Sequence, residues 1–207
     1  MRASLIGLLT TSLLAIALGT GCAPAEESAP APAGTEVGQE QDLTTQTDAA
    51  LQGKLNGILK DITFTSESDY GYVTLEGNAI TEKKLTKALV RKHLAAVIKA
   101  KSSDHRDILP AKCRAVRIDV SKAIAEGDSA EVPTNHDDEN YTYAHHDKQV
   151  AIALKVMRAQ LKSVVGFTFG TNESGDQDEF GTVLYVYVGI SKTSGKLIAI
   201  MTEAVYT

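Results

Sequence analysis

Three groups of residues in this sequence carry side chains able to do chemistry. The densest lies in the run 127–147, G-D-S-A-E-V-P-T-N-H-D-D-E-N-Y-T-Y-A-H-H-D, where His136, His145 and His146 are interleaved with Asp137, Asp138, Glu139 and Asp147. Imidazoles and carboxylates are the ligands of zinc and other divalent metals. Their spacing here fits no ligand pattern, and adjacent histidines point in different directions on most backbones. A long solvated acidic loop is therefore the preferred reading, with a loop-centred metal enzyme as a distant rival. The second group is Ser66-Glu67-Ser68-Asp69-Tyr70, where Ser66 and Asp69 can satisfy backbone donors in a turn. The third is Thr207, which sets a hydroxyl beside the terminal carboxylate directly after a predicted strand.

Signatures of catalysis are missing from the sequence. It has no G-x-S-x-G elbow, no glycine-rich phosphate loop and no Cys–His–Asn framework. Abundant carboxylates on an acidic chain are no sign of acid–base catalysis, and the run E-S-G-D-Q-D-E-F-G is most simply a turn between strands. The expectation is a protein that is not an enzyme and has no cofactor.

The elements that must position these groups follow from periodicity. Leu51, Leu55, Ile58, Leu59 and Ile62 recur at helical spacing, which predicts a helix from Asp48 to Lys60. Y-G-Y-V-T-L-E-G reads as a strand closed by Gly77. The longest helical run begins behind Thr81 as N-cap and crowds lysines into its last turn. His93 falls on that helix as a packed or half-exposed residue. C-R-A-V-R-I-D-V alternates as a strand opened by Cys113, a buried inert thiol, and S-K-A-I-A-E makes one helical turn. A further helix behind Asp147 is marked by Val150, Ala153, Leu154, Met157, Leu161 and Val164. G-F-T-F-G-T is a strand, and a closing hairpin pairs T-V-L-Y-V-Y-V-G-I-S with G-K-L-I-A-I-M-T-E-A-V-Y through K-T-S-G, where Gly195 is free to turn left-handed. Helices interspersed with strands that close in an antiparallel run predict an α+β fold, one sheet with helices packed over it.

The first 22 residues stand apart. Arg2, an apolar run from Leu5 to Leu18 and small residues up to Cys22 make a secretory signal, too short to span a bilayer. L-G-T-G-C is similar to a bacterial lipoprotein processing site, which would attach lipid at Cys22 and anchor the protein to a membrane of the bacterial envelope; ordinary cleavage nearby, giving a secreted or periplasmic protein, is the alternative. Residues 23–46 are rich in Ala, Pro and acids and read as a disordered tether. Residues 47–207 remain, about 160, a suitable length for one domain.

Charge narrows the partners. The chain has 21 Lys and Arg against 26 Asp and Glu, a net charge of −5, and loss of Arg2 with the signal brings the mature protein near −6. That balance argues against direct nucleic-acid binding, which needs clustered cations, and favours a basic partner.

Two blocks then resemble a known family. G-I-L-K-D-I-T-F-T-S-E-S-D-Y-G-Y-V-T-L-E-G at 57–77 and L-Y-V-Y-V-G-I-S-K-T-S-G-K-L-I-A-I-M-T-E-A-V-Y-T at 184–207 are similar to the nuclease A inhibitor family. Its members carry a Ser-Glu-Ser-Asp/Glu-Tyr segment after the first helix and a closing hairpin that ends in threonine. The resemblance implies an α/β/α sandwich with a largely antiparallel sheet, which blocks a secreted, sugar-nonspecific nuclease of the ββα-metal type. It implies that Thr207 reaches the nuclease's catalytic magnesium, and that Glu67, flanked by Ser66, Ser68 and Asp69, pairs with an arginine that otherwise holds substrate phosphate. Magnesium prefers hard oxygen ligands, and a carboxylate meets a guanidinium much as a phosphate does. The family's long loop carries a tryptophan that contacts the enzyme; this chain has no Trp, which leaves Tyr141 or Tyr143 to take that place. The alternative function is an envelope lipoprotein of the same fold that binds a different protein.

Overall fold

Thr47 opens the first helix, α1 (Asp48–Ile58), by accepting a hydrogen bond from the backbone N–H of Ala50 on its side-chain oxygen. The computed structural model describes residues 46–66, 69–102, 114–170 and 181–206, all within one compact unit, Asp42–Thr207. Helix α1 ends two residues before the predicted Lys60, with Leu59 as its C-cap, and Asp61 then reverses the chain at a positive φ of 60°. Two short strands, β1 (Thr63–Phe64) and β2 (Tyr70–Gly71), pair with each other across the S-E-S-D stretch. β3 (Val73–Ala79) continues into the main sheet.

Helix α2 (Lys87–Lys101) starts later than the sequence predicts. Its N-cap is Thr86, whose hydroxyl accepts from the Leu89 N–H; the Thr81 N–H is instead taken by the Glu82 carboxylate. Burial of Leu85 decides between the two threonines, because it ties the chain to the core just before the helix begins. After β4 (Ala115–Ile118) comes α3 (Val120–Ser129), ten residues where one turn was expected, capped by Asp119 on the N–H groups of Ser121 and Lys122.

The larger correction is α4 (Glu139–Gln160), which begins behind Asp138 rather than Asp147. The second half of the expected acidic loop is thus two turns of helix. Gly127 on α3 is the reason they can form there: it packs so closely on α4 that an added methyl would sit 2.3 Å from the Asp147 carbonyl oxygen. Only a residue without a side chain lets the two backbones approach this far.

β5 (Leu161–Phe169) follows α4 without a loop, and β6 (Gly181–Ser191) and β7 (Lys196–Tyr206) form the expected closing hairpin, with Gly195 at a φ of 73°. The sheet order is β3-β7-β6-β5-β4, every neighbour antiparallel. This is an α+β fold, with both faces of the sheet covered. Leu184, Val186, Val188 and Ile190 of β6 face α2 through Val90, Leu94 and Ile98. Ile198 and Ile200 of β7, with Tyr187, face α1 and α4 through Leu51, Leu55, Leu154 and Met157. Each fully buried Leu or Ile contributes roughly 1.5–3 kcal/mol, so these two layers are the main source of stability. A bulge at Ser163, whose φ is 54°, turns β5 over: Leu161 packs with α4, whereas Val165, Phe167 and Phe169 pack with α2.

Candidate partner-binding site

The last strand and the S-E-S-D-Y segment meet. The Val205 N–H donates to the Ser66 hydroxyl at 3.2 Å, and the Thr202 hydroxyl donates to the Tyr70 carbonyl at 3.0 Å. These bonds bridge 139 and 132 residues of sequence and strap the β1–β2 hairpin onto the final turns of the pleat. Glu67, Ser68 and Thr207 lie outside the described residues, as do Cys22 and Cys113. Glu67 adjoins Ser66 in the chain and Thr207 is two residues beyond Val205, so both are tied covalently to this contact. Asp69 is exposed. Tyr206 shares a 3.3 Å hydrogen bond with the Tyr185 hydroxyl, and burial, followed by that bond, raises the Tyr206 phenol well above its ordinary range.

Tyr141 and Tyr143 are on the first turns of α4. Tyr141 is half-buried, its ring stacked between His136, 4.3 Å away, and His145, 5.2 Å away. Tyr143 is 55% exposed. Tyr141, Thr142 and His145 border a cavity of about 180 Å³ closed on its other side by Asp61, Ile62 and Thr63. The start of α4 therefore lies against β1, the strand that leads into Ser66. Ser66, Asp69 and Tyr141 are thereby placed near the end of the sheet where β7 finishes, whereas Tyr143, two residues further along α4 than Tyr141, is shown only as exposed.

Behind this end lies a constellation that local sequence patterns do not reveal. Tyr72, His146 and Asp147 form a hydrogen-bonded chain: the Tyr72 hydroxyl is 2.9 Å from His146 Nε2, and His146 Nδ1 is 2.9 Å from the Asp147 carboxylate. With Nδ1–H donated to Asp147, Nε2 of the neutral ring accepts the phenolic proton. Phe64 stacks on Tyr185 at 4.8 Å and meets the His146 ring edge-on at 5.4 Å. Together with Tyr187, Lys122 and Glu126 these groups line a cavity of about 360 Å³. Burial pushes the Tyr187 phenol up to about 12, with smaller contributions from Tyr185, Asp147 and Glu126, and pushes Tyr72 well above its ordinary value for similar reasons. Both phenols stay neutral at physiological pH, and Tyr72 orders the cavity through its hydrogen bond to His146.

Among the described residues, no group of three or more His, Cys, Asp and Glu side chains is gathered to hold a metal ion, and no helix is long and apolar enough to cross a membrane. No protein-family model matches the chain, and no curated protein matches it.

Proposed function

We propose that this protein is an exported inhibitor of a nonspecific DNA- and RNA-degrading nuclease of the ββα-metal type, lipid-anchored at Cys22, with no catalytic activity or cofactor of its own. The observation that carries the proposal is the Ser66–Val205 hydrogen bond, which brings the S-E-S-D-Y segment beside the end of β7. In this reading Glu67 answers an arginine of the nuclease while Thr207 supplies oxygens to the nuclease's magnesium. Tyr143 is exposed near the start of α4 and offers an amphipathic anchor. The acidic charge of the chain accelerates encounter with a cleft built to attract nucleic acid.

The test measures DNA degradation by a magnesium-dependent ββα-metal nuclease against increasing amounts of the mature polypeptide, residues 22–207 with Cys22→Ser, beside a version lacking Thr207. The shortened chain still ends in a carboxylate, but one set back by about 3.5 Å. Truncating one partner of a buried charged contact costs roughly 2–5 kcal/mol, so inhibition should weaken by about thirtyfold or more. Equal inhibition by both versions would remove the terminal-ligand mechanism. Inhibition by neither would remove the function and favour a binding module for a different envelope protein.

A further inference from the structure

The segment 82–101, which leads into and forms α2, concentrates positive charge that no ion pair among the described residues offsets. Residues 82–101 hold seven cations against one acid, Glu82, a local charge of +6; the whole chain is −5, so the remainder carries −11. Lys83, Lys84, Lys87, Lys92, Lys99 and Lys101 are all exposed. Among the described residues none of these six is in an ion pair, whereas Lys122, Lys155 and Lys196 on other elements each meet a carboxylate. The seventh cation, Arg91, lies 5.6 Å over the Phe169 ring and belongs to the packing of the layer.

This arrangement opposes folding. Lys87 and Arg91 are four residues apart on α2, a spacing at which like charges repel on a helix. Lys87 also occupies the first turn of α2, where no acid is present and the helix dipole disfavours a cation. Charge that weakens the fold and is not offset inside it points to an anion outside.

We propose that the α2 layer docks on the surface of an anionic lipid bilayer. Shape favours a flat partner. Among the described residues α2 is the one helix on its face of the sheet, while α1, α3 and α4, with the acids of the 127–147 stretch, belong to the opposite layer. Layers packed about 10 Å apart put those acids about 20 Å behind α2, two screening lengths at moderate salt. A planar anionic surface meets the lysines alone; a polyanion that wraps, such as nucleic acid, also meets the acidic side. Between the lysines the outer helix surface is alanine, at Ala88, Ala96 and Ala100, all exposed. With no large apolar side chain to insert there, docking is peripheral and electrostatic. Lysine suits such a surface, since its flexible stem follows mobile headgroups and needs no fixed fork geometry.

The biological setting, though not the surface itself, rests on lipid attachment at Cys22. The 24 residues between Cys22 and Thr47 reach at most about 85 Å when fully extended, so a lipid there keeps Thr47 within that distance of the bilayer and raises the effective concentration of the domain at its surface.

The experiment uses the mature polypeptide, residues 22–207 with Cys22→Ser, so that no lipid contributes. Its partition onto phosphatidylcholine vesicles is compared with vesicles containing one-third phosphatidylglycerol, at low and at physiological salt. Binding is expected only to the anionic vesicles and is expected to fall as salt rises. Each lysine near such a surface contributes about fivefold in partition, so Lys84→Gln, Lys87→Gln and Lys92→Gln together lower it by about a hundredfold. A matched triple on other elements, Lys60→Gln, Lys122→Gln and Lys148→Gln, changes it by less than about threefold, with circular dichroism verifying that both variants fold. Equal binding to neutral vesicles, equal loss in the two triples, no vesicle binding, or preferential binding to duplex DNA at matched salt would each overturn the proposal. Nuclease inhibition assayed on the same α2 variant keeps the two readings separate: it persists if docking alone fails, and is absent from the parent chain if the inhibitor function fails.

Discussion

Replacing Gly127 with alanine tests the α3–α4 crossing, on which the start of α4 and the position of Asp147 depend. A methyl at Gly127 would lie 2.3 Å from the Asp147 carbonyl oxygen, 2.9 Å from its carbonyl carbon and 2.5 Å from Ala151 Cβ. Non-bonded carbons are comfortable at about 3.5–4 Å, so the helices must separate by about 1 Å. No rotamer change can relieve the contact, because two of the three atoms are α4 backbone. Overpacking of this kind costs about 1–3 kcal/mol, and the upper part of that range applies here. Alanine returns about 1 kcal/mol through its helix preference, which leaves a net loss of about 1–2 kcal/mol. For a domain of this size that lowers Tm by roughly 2–8 °C. Gly53→Ala is the control: Gly53 is also inside a helix, α1, but has nothing within 4 Å of a built methyl. It should gain about 0.5–1 kcal/mol from propensity alone. Thermal melts and denaturant titrations of both variants give the comparison. If Gly127→Ala stabilises the protein as Gly53→Ala does, the close crossing is wrong, and with it the placement of Asp147 beside His146.

Two further outcomes follow from named contacts. The Tyr187 phenol keeps its proton to about 12 in the folded chain and to about 10 when unfolded, so above pH 10 the unfolded chain binds fewer protons and stability falls as pH rises. The effect is absent below pH 10 and reaches about 3 kcal/mol by pH 12; Tyr187→Phe should flatten this alkaline limb relative to the parent, and matching pH profiles would show that Tyr187 is not buried as described. Thr86→Ala should cost about 1 kcal/mol in denaturant titrations and Thr81→Ala close to nothing, because only Thr86 caps α2; the reverse order would restore the earlier helix start.

The legible parts of this fold are those where burial has a local period. α1 shows itself through Leu51 and Leu55 at four-residue spacing behind a threonine cap, and the closing hairpin through Leu184, Val186, Val188 and Ile190 alternating before Gly195. The first turns of α4 have no such period. Asn140, Thr142 and Tyr143 are exposed, and the buried residues of the helix begin only at Val150, so a polar helix and a polar loop look alike there. Local pattern also cannot choose between Thr81 and Thr86, since both are good caps and the choice rests on the burial of Leu85. Nor does it place the β5 bulge, because Ser163 is an ordinary residue in an unusual conformation. In the candidate site, the residue types of the S-E-S-D-Y segment are visible, but the Ser66–Val205 contact spans 139 residues and Tyr72–His146 spans 74. Such contacts are properties of the sheet and its packing, which no window of sequence contains.

The two proposed surfaces are compatible for a reason built into the sandwich. α2 covers a face of the sheet, so whatever docks on it approaches along the sheet normal. Ser66 and the end of β7 instead meet at the rim where β7 finishes, so a partner there meets the end of a strand and not the helix-covered face. The two surfaces adjoin at one point: Ser102, the C-cap of α2, donates to the Glu203 carboxylate, and Lys101 lines a cavity with Tyr70 and Thr202. In the two proposed readings, the +6 of residues 82–101 faces an anionic bilayer while acids elsewhere in the chain favour a cationic nuclease. On these two proposals, an acidic chain with a local charge of +6 over residues 82–101 has a preferred orientation at a membrane, with the α2 layer toward the lipid.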